Sequence, residues 1–215
     1  MRRSEAAPRI PPDGVALGVV PVDGRGSLPF TLLRGEPLVT LASRTLQAAG
    51  VALLDDDVPW ASVRRAGAAL VVLDPLCPAT PTGFAREVLR IADSRGRVAV
   101  GVRPVTDTLK ATRRGPASPA SSVTLVGGTV DRATLLAVCS PLVLPTSVVT
   151  ELAEWPDLSD LAALVDMLKA SRPVEHVHAP ASARRVADAS DVRLLEALNW
   201  PSGTAARRAR GPRGT

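Results

Sequence analysis

The chain has 215 residues, a length that suits one domain with a sizeable core rather than several. Its 46% hydrophobic content and mean hydropathy of +0.15 exclude a mainly disordered chain, and no apolar run approaches the ~20 residues that cross a bilayer. The net charge of +5 belongs to the ends. Residues 1–13 carry +1 and residues 201–215, with Arg207, Arg208, Arg210, Arg213 and no acid, carry +4, which leaves residues 14–200 neutral. The basic end reads as a solvated tail, with contact to nucleic acid or anionic lipid as the alternative. With no Tyr, two Phe and three Trp the body offers few stacking platforms, so nucleic-acid binding by it is not expected.

Residues 1–13, rich in Pro, Arg and Ala, predict a disordered lead-in before one domain spanning 14–200. The apolar segment Val15 to Val22 is broken by Gly18 and Pro21 and does not read as a signal peptide, so a cytoplasmic protein is expected. Val15 to Val20 predicts a first strand, followed by the glycine-rich loop Pro21-Val22-Asp23-Gly24-Arg25-Gly26-Ser27. Such a loop after a buried strand brings backbone N–H groups close to phosphates, which makes Gly24, Gly26 and Ser27 candidates; a plain tight turn has the same composition. The loop matches neither the dinucleotide fingerprint nor the P-loop spacing.

Glu36 to Ala49 predicts an amphipathic helix ended by Gly50, then a short strand over Val51 to Leu54 and a short helix over Pro59 to Gly67. Ala68 to Leu73 predicts a buried strand closing on Asp74, and Pro81 to Arg95 a helix with Phe84, Val88, Leu89 and Ile91 inward. Val98 to Val102 is apolar on both faces, the mark of a strand inside a parallel sheet, and ends in the polar cluster Thr106-Asp107-Thr108-Leu109-Lys110. Open α/β sheets place their ligands at that end of the strands.

Residues Ala111 to Ser122 predict an exposed loop, Val123 to Val130 a hairpin around Gly127-Gly128, and Ala133 to Ser140 a helix or strand ended by Pro141. A helix over Leu158 to Ala170, a strand over Val174 to Val177 and a helix over Asp188 to Trp200, capped by Asp188 or Ser190, complete the domain. Alternating strands and helices imply βαβ units and an α/β class. Cys77 and Cys139 lie in apolar contexts and predict buried free thiols. His176 and His178 share a strand face without a nearby third ligand, so no metal site is expected there.

The order of these elements over nearly all of residues 15–200 resembles the methylerythritol phosphate cytidylyltransferases. Pro-Val-Asp-Gly-Arg-Gly (residues 21–26) is similar to that family's P-A-A-G-x-G, and Leu73-Asp74-Pro75-Leu76-Cys77-Pro78 to its H-D-A-A-R-P. Residues 103–110, RPVTDTLK, resemble P-V-x-D-T-x-K, residues 128–141 its arginine and Q-T-P-Q segment, and residues 183–192 its N-x-K-I-T-T-x-x-D-L. The resemblance implies a three-layer, Rossmann-like nucleotidyltransferase fold with a mostly parallel sheet and a small β-arm. It implies attack by a polyol phosphate oxygen on the α-phosphate of a nucleoside triphosphate, CTP in the family, with Mg²⁺ and isoprenoid precursor synthesis as the setting. Arg132 and Arg185 are then candidate catalytic cations, with Arg25, or else Arg34, as the substitute for the first loop's own cations; Asp107, Thr108 and Ser140 are the acceptor-binding groups, and Asp74 the metal ligand. A homodimer through an arm at residues 123–132 is also implied.

Each residue has a plainer reading beside this one. Asp107 and Thr108 fit a turn or helix cap, Asp74 an Asx turn ahead of Pro75, and Arg132 and Arg185 ordinary surface charges. The sequence also departs from the family pattern. Its two lysines, Lys110 and Lys169, are remote from the first loop, where Pro29-Phe30 replaces the expected proline-lysine pair. Cys77 stands in place of an arginine, Cys139-Ser140-Pro141-Leu142 in place of Q-T-P-Q, and the base-recognition segment between residues 51 and 68 is short. Negative charge builds on the phosphoryl group in such a reaction, so missing cations bear directly on rate. Two functions follow: a divergent nucleotidyltransferase, or a catalytically impaired pseudoenzyme that binds or regulates.

Overall fold

The computed structural model describes residues 15–105, 109–114, 124–131 and 135–198. Six strands form the central sheet: β1 (Leu17–Val19), β4 (Ala52–Leu53), β5 (Leu70–Val72), β6 (Val98–Pro104), β9 (Leu136–Leu144) and β10 (Val174–His178). Their order is β10-β6-β9-β5-β1-β4. The pairs β1–β4, β1–β5 and β6–β10 are parallel, whereas β9 runs antiparallel to both β5 and β6. Helices α1 (Leu38–Ala48) and α3 (Thr82–Arg95) cover one face, and α2 (Trp60–Arg65), α4 (Thr146–Glu151) and α5 (Leu161–Lys169) the other. Period-two alternation decides which side chain goes where: Val98, Val100 and Val102 pack with the α5 side, Ala99 with the α3 side, all fully or almost fully buried.

The strand at 98–102 lies inside the sheet as expected, but only one of its neighbours is parallel. The chain leaves β6 into a two-stranded antiparallel arm, β7 (Leu109–Arg114) and β8 (Thr124–Val130), and returns as β9 in the opposite direction. Three readings of this stretch are corrected. Residues 111–114, expected as loop, are strand; 124–130 is one continuous strand whose partner is β7, not a hairpin on Gly127-Gly128; and β9 continues through Pro141 rather than ending there. A proline inside a central strand costs a ladder donor. Here the register of β6 shifts between Val100 and Val102, opposite this point, and Gly101 lies so close that an added Cβ would be 2.9 Å from the Ser140 carbonyl oxygen.

Other boundaries move by a few residues. Glu36 and Pro37 form strand β3 against β2 (Leu32–Leu33), so α1 begins at Leu38. Helix α5 begins at Leu161 because the Asp160 carboxylate accepts the N–H groups of Ala162 and Ala163. The last helix, α6 (Ala189–Leu198), is capped by Asp188, whose Oδ1 accepts from Ser190 and Asp191, and packs with Leu33, Leu38 and Leu76. Helix α4 has no counterpart among the elements expected from sequence. The candidates Asp107, Thr108 and Arg132, residues 115–122 of the expected loop and both expected tails lie outside the described residues.

Candidate functional site

Four segments meet past the C-terminal ends of β1 and β5: the loop at Gly24–Ser27, the turn after Asp74, the segment before α5, and the stretch following β10. Gly24 and Gly26 adopt φ of +75° and +57°, a conformation that glycine enters without strain. An added Cβ at Gly24 would lie 2.8 Å from Ser159 Cβ. This close approach turns the Arg25 side chain inward, where it is 1% exposed. Arg25 Nε donates to Asp74 Oδ1 at 2.8 Å, Nη1 to the Asp23 carbonyl at 2.6 Å and Nη2 to the Leu158 carbonyl at 2.9 Å.

Asp74 is also buried. Its Oδ1 accepts a second bond from the Leu76 N–H (3.0 Å), the Asx turn expected ahead of Pro75, and its Oδ2 accepts from Arg185 Nε (3.1 Å). Its own N–H donates to Ser140 Oγ at 2.6 Å. Of the candidate residues, the geometry thus brings together Arg25, Asp74, Ser140, Arg185 and Gly24, while Gly26 and Ser27 sit exposed on the loop rim. A cleft of about 460 Å³ opens here, lined by Gly24, Asp74, Val138, Cys139, Ser159–Ala162 and Arg185. Arg185, with a half-exposed side chain, is the cation that faces it.

Two expected roles meet a different geometry. Arg25 does not line the cleft, because its donors already hold Asp74 and two carbonyls. Ser140 is fully buried beneath the cleft and positions the Asp74 turn through its hydroxyl. The carbonyl of Leu158 and the cap residue Asp160 join the site without having been candidates. The cap is readable as an acid ahead of the apolar run at 161–168; the Leu158 carbonyl carries no sequence signal. Cys77 and Cys139 are free, buried thiols as expected. Burial, then the neighbouring Asp74 charge, pushes the Cys77 thiol far above its usual range; burial also raises Cys139, against the opposing charges of Arg103 and Arg185. His176 and His178 are exposed on β10.

A second, larger cleft of about 760 Å³ runs along the ends of β1 and β4. Its apolar floor includes Val19, Leu53 and Leu54, and Trp155 in its wall stacks obliquely on Trp60 at 4.8 Å, tying that wall to α2. The indole N–H groups complete the tie, Trp60 to the Leu152 carbonyl and Trp155 to that of Val58. Its rim is acidic: Asp23, Asp55, Asp56 and Asp157 line it, and no Lys or Arg does. None of these four carboxylates has an ion-pair partner among the described residues. Phe30, at the position where the sequence pattern expects lysine, lies in this wall and is 58% exposed.

Among the described residues no group of three or more His, Cys, Asp or Glu side chains could hold a metal ion by itself. Asp74, the expected ligand, already carries a guanidinium on each oxygen.

Solved structures share this fold. The chain superposes on 2-C-methyl-D-erythritol 4-phosphate cytidylyltransferase from Thermus thermophilus with a TM-score of 0.56 and 24% identity, over 86% of this chain and 98% of that one. The fold is that of the nucleotidyltransferases. The 4-diphosphocytidyl-2C-methyl-D-erythritol synthase of Anaerococcus prevotii matches with a TM-score of 0.55 at 12% identity, over 86% and 99% of the two chains. A CMP:2-keto-3-deoxy-manno-octonic acid synthetase solved with CTP matches at 0.52 and 12% identity, over 87% and 98%. No family model matches the chain, and no curated protein matches it in sequence. No described helix is long and apolar enough to cross a membrane.

Proposed function

We propose that this chain is a divergent relative of the methylerythritol phosphate cytidylyltransferases, impaired in nucleotidyl transfer, that binds a polyol phosphate beside Arg185 as a binding or regulatory module. The observation that carries this reading is the acidic cleft at the ends of β1 and β4. A nucleoside triphosphate held at the glycine loop brings about four negative charges next to this rim, and its four carboxylates, with no lining cation, oppose it by Coulomb repulsion that solvent screens in part. The transition state of nucleotidyl transfer adds further negative charge, and losing even one donor to it costs about 10²–10³ in rate. Arg185, by contrast, lines its cleft, and beyond the Nε bond to Asp74 its guanidinium makes no hydrogen bond among the described residues. In this reading the β7–β8 arm serves a homodimer, and the protein is cytoplasmic.

A second reading, active nucleotidyl transfer in isoprenoid precursor synthesis, is favoured by one feature. The N–H groups of Gly24, Gly26 and Ser27 have no acceptor among the described residues, as a phosphate-cradling loop requires. Calorimetric titrations with CTP plus Mg²⁺ and, separately, with methylerythritol phosphate discriminate the two. The expected result is binding of the polyol phosphate, weakened at least ~10-fold in Arg185→Ala, with no pyrophosphate released from the full mixture. Pyrophosphate release above the protein-free control, abolished in Asp74→Asn, overturns the impaired reading.

A further inference from the structure

We infer that Arg25 is a resident cation on Asp74, holding the carboxylate face that a divalent ion would need and making this corner of the site independent of metal. The inference goes beyond the functional reading above and does not depend on it. Asp74 has about four lone-pair positions. Three are taken: by Arg25 Nε and the Leu76 N–H on Oδ1, and by Arg185 Nε on Oδ2. Mg²⁺ requires close octahedral contacts and gives up its waters reluctantly. With 5% of its side chain exposed, Asp74 offers its cleft only the one remaining position on Oδ2, beside the Arg185 guanidinium, too little to replace the waters of such an ion while Arg25 holds Oδ1.

Arg25 differs from a mobile surface counter-ion in how it is held. The carbonyls of Asp23 and Leu158 fix both Nη atoms, so the guanidinium cannot swing away from Asp74 without losing three hydrogen bonds in a buried setting. The flanking glycines, with positive φ on either side, shape the loop around it. Arginine remains charged at any working pH, so the cation is permanent. The local charges agree. Two guanidinium groups on one carboxylate give the same local net charge, +1, as one divalent ion on that carboxylate, without an ion being bound.

Mn²⁺ titration followed by electron paramagnetic resonance tests this without any assay of activity. In the wild type, millimolar Mn²⁺ should give no bound signal that Asp74→Asn removes. Arg25→Gln should gain one bound Mn²⁺, lost again in the Arg25→Gln/Asp74→Asn double variant. Asp74-dependent Mn²⁺ binding by the wild type overturns the inference, as does a folded Arg25→Gln protein that gains no binding. If Arg25→Gln fails to fold, the wild type still decides. Its Arg25 Nε–Hε resonance should broaden in Mn²⁺ no more than in Asp74→Asn, and a paramagnetic loss seen in the wild type but not in Asp74→Asn overturns the inference.

Discussion

Asp74→Asn is the most informative perturbation, because the structure divides its consequences between two arginines of very different burial. Asn is close to isosteric and keeps an oxygen for the Leu76 N–H and Arg25 Nε, so the change removes the charge and, with an NH₂ in place of Oδ2, the acceptor used by Arg185 Nε. Arg25 is then left as a buried guanidinium without a counter-charge, a situation that costs about 3–5 kcal/mol. Arg185, with 45% of its side chain exposed, is screened by water, and Arg185→Ala should cost less than about 1 kcal/mol. For a chain of this size the Asp74→Asn loss corresponds to roughly 6–20 °C in Tm. Urea melts followed by tryptophan fluorescence measure it, with an unchanged slope confirming that only stability moved. Adding Arg25→Met closes a double-mutant cycle: both partners are removed together, so the double variant should be about 2 kcal/mol or more less destabilised than the sum of the singles. Single effects that add to within about 0.5 kcal/mol, or an Asp74→Asn cost no larger than that of Arg185→Ala, would refute the buried clamp.

Other expectations follow from the same geometry. Gly24→Ala combines a left-handed φ with a clash against Ser159 and should destabilise by about 1–3 kcal/mol, read by thermal melting. Asp160→Ala removes the cap of α5 and should cost about 1 kcal/mol in the same assay. Cys77 and Cys139 should resist a thiol reagent at about pH 8 in the native protein and react on unfolding, because burial disfavours both thiolates. Glu175 sits on the surface between Arg97 and Arg95, and the hydrogen bond from Arg97 holds its carboxyl below the usual glutamate range. Its contribution is therefore present above that range and lost as pH falls through the lowered value. Glu175→Gln should flatten the acid limb of the stability profile, an effect that high salt reduces.

Much of the architecture was legible in the order of residues. The runs at 70–72 and 98–102 are apolar on both faces, which only a sheet covered on both sides accommodates. The helical spacing of Phe84, Val88, Leu89 and Ile91, and of Leu161, Leu164, Val165 and Leu168, marks the faces that cover it, although Leu89 and Ile91 are only partly buried and Ala92 completes the first face. Gly96 at the end of α3, with a φ of +59°, ends that helix for local backbone reasons. These are properties of neighbouring residues, and neighbouring residues suffice to specify them. The candidate corner was legible too, since the glycine loop and Asp74 each follow a buried strand.

Tertiary structure alone decided how those parts engage. The antiparallel sense of β9 depends on the chain first leaving through the arm, and its passage through Pro141 depends on a register shift in a different strand. Nothing near Arg25 in sequence names Asp74, 49 residues away, or the Leu158 carbonyl, 133 residues away, as its partners. Nor do Asp23, Asp55, Asp56 and Asp157 form one rim until the strand ends and the Trp60–Trp155 contact bring them together. An arginine in a glycine loop reads as a cation offered to a ligand. Burial makes it a cation consumed by the protein, because a desolvated guanidinium is stable only where carboxylate and carbonyl groups from distant segments surround it.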